Sequence, residues 1–132
     1  MWQDRVIAIT GAASGIGQAL AVHLGRQGAI LALSDIDESG LNARTEDLRS
    51  LGVECHGRVV DVSQASEVEA WCHEIIEVFG HVDGIINNAG VSVIDGAEFV
   101  SHEDFEWVMG INFWGVIYGT QIFLPHLRKR PE

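Results

Sequence analysis

Apolar runs and helical segments alternate along the chain. Residues 5–10 form a short apolar run rich in valine and isoleucine, which is typical of a buried parallel strand, and three further strands are predicted over 29–34, 53–60 and 82–87. Apolar positions three and four residues apart predict a helix after each strand. These helices run from 14 to 27, from Asp37 as N-cap to about 50, from 63 or 64 to Gly80, and from about 103 to 127.

This alternation predicts an α/β fold. Strands that are separated by helices pair in parallel through right-handed crossovers, which place helices on both faces of the sheet. The sequence contains no low-complexity linker and no internal repeat. We therefore expect a single domain with a doubly wound parallel sheet, of which about four strands are present.

Composition and charge exclude several classes of function. Hydrophobic residues make up 47% of the chain and charged residues 20%, which is ordinary for a globular protein. The formal net charge of −11 argues against nucleic acid or an anionic membrane as a partner. The longest apolar run, 111–124, contains Asn112, Thr120 and Gln121, so no membrane span is expected.

Cysteine and histidine positions indicate neither a metal site nor a disulfide framework. The two cysteines, Cys55 and Cys72, form no CxxC pair, and the six histidines show no ligand spacing. Without a signal peptide pattern at the N-terminus, we expect a cytoplasmic protein.

A glycine-rich loop joins the first predicted strand to the first predicted helix. Gly11 allows a sharp turn out of the strand, Gly15 allows backbone to approach a pyrophosphate, and Gly17 allows close helix packing. The helix N-terminus then presents N–H groups and partial positive charge to phosphate. A glycine-rich turn that binds nothing is the alternative. The single lysine, Lys129, lies far from this loop, which excludes a P-loop nucleotidase.

The loop sequence resembles the fingerprint of the short-chain dehydrogenase/reductase family. The family pattern TGxxxGxG matches residues 10–17, in which Ser14 and Ile16 occupy variable positions. The resemblance implies a Rossmann-like fold, a nicotinamide dinucleotide as cofactor and hydride transfer between an alcohol and a ketone. It also implies that the loop binds the cofactor.

The end of the second strand bears on the choice between NAD and NADP. Asp35 follows Gly17 by eighteen residues, where a carboxylate can accept hydrogen bonds from ribose hydroxyls and repel a 2′-phosphate. In the family, NADP users tend to carry a basic residue at the positions that Ser14 and Ile36 occupy here. We therefore expect NAD, with NADP the less favoured cofactor. Asp35 acting only as a surface or capping carboxylate is the alternative.

Two further segments match the family along the chain. Asp61 and Val62 end the third strand, where the family places such a pair against the adenine, although Asp61 can also cap the next helix. The fourth strand ends in Asn87, Asn88, Ala89 and Gly90, which match the family's NNAG motif beside the cofactor. Two adjacent amides at a strand end also favour a structural role, because buried amides require hydrogen-bond partners.

The last helix resembles the segment in which the family carries an active-site asparagine. Asn112 is therefore the candidate catalytic residue, and the resemblance implies that it holds a water in a proton relay. An asparagine hydrogen-bonded to neighbouring backbone is the alternative. The family's serine and Tyr-x-x-x-Lys are not found, since the single tyrosine, Tyr118, lies eleven residues before Lys129.

The match therefore covers a cofactor-binding half, residues 1–132, and we expect it to be incomplete and inactive alone. In an incomplete sheet the fourth strand becomes an edge, and the apolar 103–127 helix lacks packing partners. We expect a homo-oligomer that forms through this helix. Two functions remain open, an oxidoreductase that a second half completes and a non-catalytic dinucleotide-binding or oligomerising module. A flavodoxin-like or receiver-type fold would not explain the 87–90 segment.

Overall fold

Four parallel strands form one sheet in the structure, a computed structural model that describes residues 1–131. They are β1 (Val6–Thr10), β2 (Ile30–Asp35), β3 (Cys55–Val59) and β4 (Gly84–Ile86). Their order across the sheet is β3-β2-β1-β4, and each neighbouring pair is parallel. The predicted doubly wound α/β fold is confirmed. The strand order reverses beside β1, and ligands of such sheets bind outside the carboxyl ends of the strands at this reversal.

Helices cover both faces of the sheet. They are α1 (Gly15–Arg26), α2 (Glu38–Ser50), α3 (Ala65–Phe79), α4 (His102–Met109) and α5 (Gly115–Leu127), with a π-helical segment, Gly110–Trp114, between α4 and α5. One buried cluster joins the β1 side chains Ile7 and Ile9 to α1 and α2. The other joins the alternate β1 side chains Val6 and Ala8 to α3 and α5. Burial on both faces explains why the two central strands, β1 and β2, are mostly apolar, whereas β3 at the edge carries His56 and Arg58.

Two predicted strands are shorter in the structure than the apolar runs that predicted them. Strands predicted over 53–60 and 82–87 form only Cys55–Val59 and Gly84–Ile86. At the start of β4 the side chain of Asp83, rather than a backbone carbonyl, accepts the Val6 N–H. At the end of β4 the Asn88 N–H donates a hydrogen bond to the Ile86 carbonyl two residues earlier, which is a turn rather than a strand pairing. At the start of β4 the Asp83 N–H still donates to the Val6 carbonyl, so a side-chain or turn bond takes over only one N–H at each end of the strand.

The last helix also differs from the prediction. The sequence predicts one helix over 103–127, whereas the structure has α4 and α5 separated by the π-helical segment. In that segment the Gly115 N–H donates to the Gly110 carbonyl, five residues earlier. One wider turn changes the helical register only locally, and a pattern of apolar residues three and four apart does not reveal it.

Large apolar side chains of α4 and the π-helical segment remain partly uncovered. Phe105, Trp107, Met109, Phe113 and Trp114 are each about half exposed, at 47–50%. β4 is an edge strand, as expected. Among residues 1–131, no helix combines the length and apolar character needed to cross a membrane.

A buried carboxylate, Asp83, connects the turn after α5 to the amino end of the sheet through hydrogen bonds. The Asp83 side chain is 1% exposed, and its Oδ1 accepts a 2.7 Å hydrogen bond from Arg130 Nε. His81 Nε2 lies 3.2 Å from Oδ2, and Arg5 lies 3.9 Å from Oδ1. Burial opposes the charge on Asp83, but the hydrogen bonds from Arg130 and the Val6 N–H and the nearby cations outweigh it and lower the pKa.

Candidate functional site

A cavity of about 480 Å³ opens at the carboxyl ends of the strands, where the strand order reverses. Most of the residues that the sequence predicts for cofactor binding line it: Gly11, Ser14, Gly15, Ile16, Asp35, Ile36, Asp61, Val62, Asn88, Ala89 and Gly90. Its volume is in the range of small-ligand pockets. The structure therefore brings together segments that follow all four strands.

The glycine loop forms the floor of this cavity. Gly11 has a φ of +65°, which favours glycine, and a Cβ there would lie 2.9 Å from the Ala89 Cα. Gly17 does not line the cavity. It packs inside the loop, where a Cβ would collide with the Gly11 carbonyl and the Asn88 side-chain amide. Its lack of a side chain thus allows α1 to approach the loop itself rather than the sheet. Gly15 lines the cavity, and a Cβ there would meet no described atom within 4 Å.

Thr10 and Asn88 join the glycine loop to the turn that follows β4. The Thr10 hydroxyl accepts hydrogen bonds from the Asn88 and Ala89 N–H groups, both at 2.9 Å. In return, the Asn88 side-chain amide donates to the carbonyls of Thr10 and Gly11, at 3.0 and 3.2 Å. These reciprocal bonds fix the distance between two walls of the cavity. The sequence analysis did not single out Thr10, because its partners lie 78 and 79 residues away.

Asp35 lies at the end of β2 with both carboxylate oxygens oriented by backbone groups. Oδ2 accepts the Ala13 N–H and Oδ1 accepts the Asp37 N–H, each at 3.0 Å. Each oxygen can accept further hydrogen bonds, so the carboxylate remains available to a ligand in the cavity. The capping role belongs instead to Asp37, whose side chain accepts the Gly40 N–H at the start of α2. Two side chains beside this position, Ile16 and Ile36, line the cavity and are 73% and 67% exposed.

Asp61 both lines the cavity and orders the turn into α3. Its Oδ1 accepts hydrogen bonds from the N–H and the hydroxyl of Ser63, at 3.0 and 2.6 Å. Its own N–H donates to Glu67 Oε1 at 3.1 Å. Glu67 is a second supporting residue that the sequence analysis missed, although its position in the first turn of α3 is typical of a capping carboxylate.

The other two asparagines that the sequence predicts for the site, Asn87 and Asn112, do not line the cavity and form hydrogen bonds elsewhere. Asn87 does not line the cavity; its amide lies against α5 and donates to Thr120 at 3.4 Å. The Asn112 amide is bound at both ends to the backbone of Val91, accepting its N–H at 2.8 Å and donating to its carbonyl at 2.7 Å. These bonds correspond to the alternative of an asparagine held by neighbouring backbone. They leave Asn112 at the cavity wall, where Val91 and Ile111 are lining residues that the sequence did not predict.

The electrostatic character of the cavity is acidic. Among the described residues that line it, the charged ones are Asp35 and Asp61. The positive potential available to an anion therefore comes from the N-terminus of α1, whose N-cap, Ser14, makes no side-chain capping bond in the described chain. The cavity thus offers N–H groups at the loop and carboxylates beside it. This arrangement suits a ligand with phosphates at one position and hydroxyl or amine donors at another.

A larger open groove of about 880 Å³ lies between α3 and α5, away from the strand ends. Its lining mixes both charges, including Arg58, Glu74 and His73. Cys72 also lines it, but burial, together with the charge of Glu69, raises the pKa of this thiol to about 11. A thiol with so high a pKa is a poor nucleophile. In the part of the chain that the structure describes, no cluster of three metal-ligating side chains occurs there or elsewhere.

Comparison with known proteins identifies the family. The family model for short chain dehydrogenases matches residues 5–132. The chain belongs to the short-chain dehydrogenase family. It is 37% identical over 130 residues to levodione reductase of Leifsonia aquatica, an alignment that covers 96% of this chain and 49% of that protein. It is 33% identical over 127 residues to the C alpha-dehydrogenase of a Sphingobium species, covering 96% of this chain and 42% of that protein.

Solved structures of the short-chain dehydrogenase family share the same fold. One from Burkholderia phymatum, in complex with NAD, has a TM-score of 0.94 at 37% identity and covers 96% of this chain and 45% of that one. The alcohol dehydrogenase of the archaeon Thermococcus sibiricus, complexed with 5-hydroxy-NADP, has a TM-score of 0.92 at 35% identity, covering 96% and 55%. The chain therefore spans about half the length of the relatives it matches. The first of these two structures holds NAD and the second holds 5-hydroxy-NADP.

Proposed function

We propose that residues 1–132 are the dinucleotide-binding unit of a short-chain dehydrogenase that interconverts an alcohol and a ketone. The observation that supports this most strongly is one cavity lined by the glycine loop, the β2 carboxylate, Asp61 and the 88–90 turn. When bound, a nicotinamide dinucleotide supplies or accepts the hydride. The protein groups named here bind and orient it: loop N–H groups face the pyrophosphate, and Asp35 accepts the hydroxyls of the adenosine ribose.

We propose NAD rather than NADP as the cofactor. A 2′-phosphate would lie beside Asp35 and Ile36, in a cavity whose described charged residues are both acidic. A phosphate dianion there would be repelled by Asp35 at short range and would have no basic side chain among the lining residues. Hydroxyls, in contrast, would donate to a carboxylate that Ala13 and Asp37 already hold in place.

This cofactor preference is testable by calorimetric titration of the chain with NADH and with NADPH. We expect NADH to bind more tightly, and Asp35→Ala to weaken NADH binding about 10- to 100-fold, since hydrogen bonds to a charged group are worth about 1.5–3 kcal/mol. The matched control is Asp37→Ala, which removes the α2 cap but no group from the cavity lining. It should leave NADH affinity within about twofold and cost about 1 kcal/mol of stability. NADPH affinity equal to that of NADH would overturn the preference.

Catalysis requires groups that these residues do not provide. Tyr118 stacks on Trp114, with ring centroids 5.9 Å apart, and does not line the cavity. The sequence also lacks a Tyr-x-x-x-Lys pattern. We therefore propose that the chain alone binds cofactor without turnover, and that a second half binds the substrate, taking the proton from the oxygen of an alcohol or giving one to the oxygen of a ketone. Asn112 then acts through its hold on Val91 at the cavity wall.

A specific observation also favours an associating module. Five apolar side chains of α4 and the π-helical segment, Phe105, Trp107, Met109, Phe113 and Trp114, are each about half exposed, and Phe113 packs against Trp114. Exposed apolar surface of this extent favours an interaction site. We propose that the chain forms a homo-oligomer through the 103–127 helix. Equilibrium sedimentation at micromolar concentration should show a dimer or larger species, and a clean monomer would contradict this.

We propose a cytoplasmic location. Both cysteines are free and buried, and burial raises the pKa of each thiol, so neither is poised for oxidation. Free buried thiols are typical of proteins from reducing compartments.

A further inference from the structure

The π-helical segment Gly110–Trp114 contacts the chain on two sides of the cavity. Towards the turn after β4, Asn112 holds the backbone of Val91. Towards the turn after β3, Gly110 and Gly115 lie against Ser63 and Val62. Val62 and Val91 both line the cavity. β3 and β4 are the two outer strands of the sheet, about 14 Å apart at the usual strand spacing. One short segment therefore touches both outer walls.

The wider turn explains how two glycines reach the same wall. In an α-helix, residues five apart are rotated by about 140°, so Gly110 and Gly115 would lie on different faces. Here the Gly115 N–H donates to the Gly110 carbonyl, which stacks the two residues one turn apart. Both glycines can then face the 62–63 turn. The π register is thus what brings Gly115 against Val62.

The approach at Gly115 is too close for any side chain. A Cβ there would lie 2.8 Å from Val62 Cγ2, 3.2 Å from Val62 Cβ and 3.3 Å from the Val62 carbonyl oxygen. Valine is stiff about χ1, and Val62 is only 8% exposed, so its side chain has little freedom to rotate away. A methyl group at Gly115 therefore requires Val62 or the start of α5 to shift. At Gly110, in contrast, a Cβ would be 3.4 Å from Ser63 Cβ, which is an ordinary contact.

We propose that Gly115 is a positioning residue that sets the depth of the cavity wall formed by Asp61 and Val62. The role rests on the proposed function, in which this wall meets the adenine half of the dinucleotide. In this proposal the π turn does more than position Asn112, because it also places a residue without a side chain, Gly115, against Val62. A side chain at Gly115 would move that wall towards the ligand and weaken binding.

The experiment compares Gly115→Ala with Gly110→Ala, its matched control. Both variants replace a glycine at a boundary of the π turn with alanine, and the gain in helix propensity is similar for both. Affinities for NADH and ADP-ribose are measured where circular dichroism shows each variant folded. We expect Gly115→Ala to weaken both ligands at least about tenfold, and Gly110→Ala to stay within about twofold. Equal losses in both variants, or no loss in Gly115→Ala, would overturn the proposal.

The backbone amide resonances of the cofactor-free chain test the role of Gly115 independently of whether the chain binds a dinucleotide. Gly115→Ala should shift the resonances of Asp61, Val62 and Ser63, while Gly110→Ala should leave Asp61 and Val62 unchanged. If the parent chain does not bind NADH, the proposed function fails, and these shifts still decide the role of Gly115: their absence refutes it. If Gly115→Ala does not fold, Val62→Ala is added to remove the obstructing methyl groups. The double variant, Gly115→Ala with Val62→Ala, should then fold and bind NADH as the single variant Val62→Ala does. A double variant that does not fold, or that binds more weakly than Val62→Ala, would also refute the proposal.

Discussion

Replacing Asp83 with asparagine is expected to lower the free energy of unfolding by about 2–4 kcal/mol, because it removes the charge from a buried ion-paired carboxylate. The Asp83 side chain is 1% exposed and accepts bonds from Arg130 and the Val6 N–H. An amide has a single oxygen, so it cannot accept from both Arg130 and the Val6 N–H, and its NH₂ group would face a donor instead. Arg130, at 34% exposure, would regain some hydration, which limits the loss. Urea unfolding at pH 7 gives the value.

Asp47→Asn is the matched control for this prediction. Asp47 also pairs with an arginine, Arg44, at 3.0 Å, but its side chain is 66% exposed. Solvent screens such a pair, so its loss should cost less than about 1 kcal/mol. A comparable cost for the two asparagine variants would contradict the account of Asp83.

The Asp83 contribution should also depend on pH. Because its pKa is lower in the folded chain than in the unfolded chain, the stabilisation is fully present above the unfolded pKa of about 3.9. It is lost as the pH falls through the folded pKa. The stability difference between the parent and Asp83→Asn should therefore shrink under acid conditions. A difference that is independent of pH between neutral and strongly acid solution would argue against a charged Asp83.

Thr10→Val is expected to cost about 1–3 kcal/mol of stability, since it preserves shape but leaves the Ala89 N–H without an acceptor and the Asn88 N–H with the Ile86 carbonyl alone. NADH affinity should fall at least about tenfold, because the same bonds hold the glycine loop against the 88–90 turn. Urea unfolding and calorimetric titration measure the two effects.

Thr45→Val provides the matched control. The two threonines are similarly buried, at 4% for Thr10 and 5% for Thr45. The Thr45 hydroxyl donates to the Leu41 carbonyl one turn earlier and accepts no bond that the structure describes. Its removal should cost about 1 kcal/mol or less and leave NADH affinity unchanged. Similar losses in both valine variants would show that Thr10 has no special role.

Local patterns in the sequence were sufficient for the sheet and for most of the cavity lining. The alternation of strands and helices fixes the layers, and the loop from Gly11 to Gly17 lies where a strand meets a helix. Polar residues that follow parallel strands, such as Asp35 and Asp61, meet at one edge of the sheet whatever the details of packing. Their place in the cavity therefore depends on topology alone.

Features that depend on contacts between distant segments could not be predicted. The side chains of Asn87 and Asn88 point to different partners, α5 and the glycine loop, although the residues are adjacent. Asn112 reaches Val91 from within the π turn, and Thr10 acquires two donors only when the chain after β4 returns beside β1. In each case the deciding partner is more than twenty residues away.

The most direct test of the central claim is an NADH titration of the parent chain followed through its backbone amide resonances. We expect the largest shifts in the segments that surround the cavity at the strand ends, namely Gly11–Gly17, Asp35 and Ile36, Asp61 and Val62, and Asn88–Gly90. Residues of the larger groove between α3 and α5, such as His73, Gln121 and His126, should be unaffected. Shifts concentrated in that groove, or no shifts in a folded chain, would contradict the assignment of this cavity as the dinucleotide site.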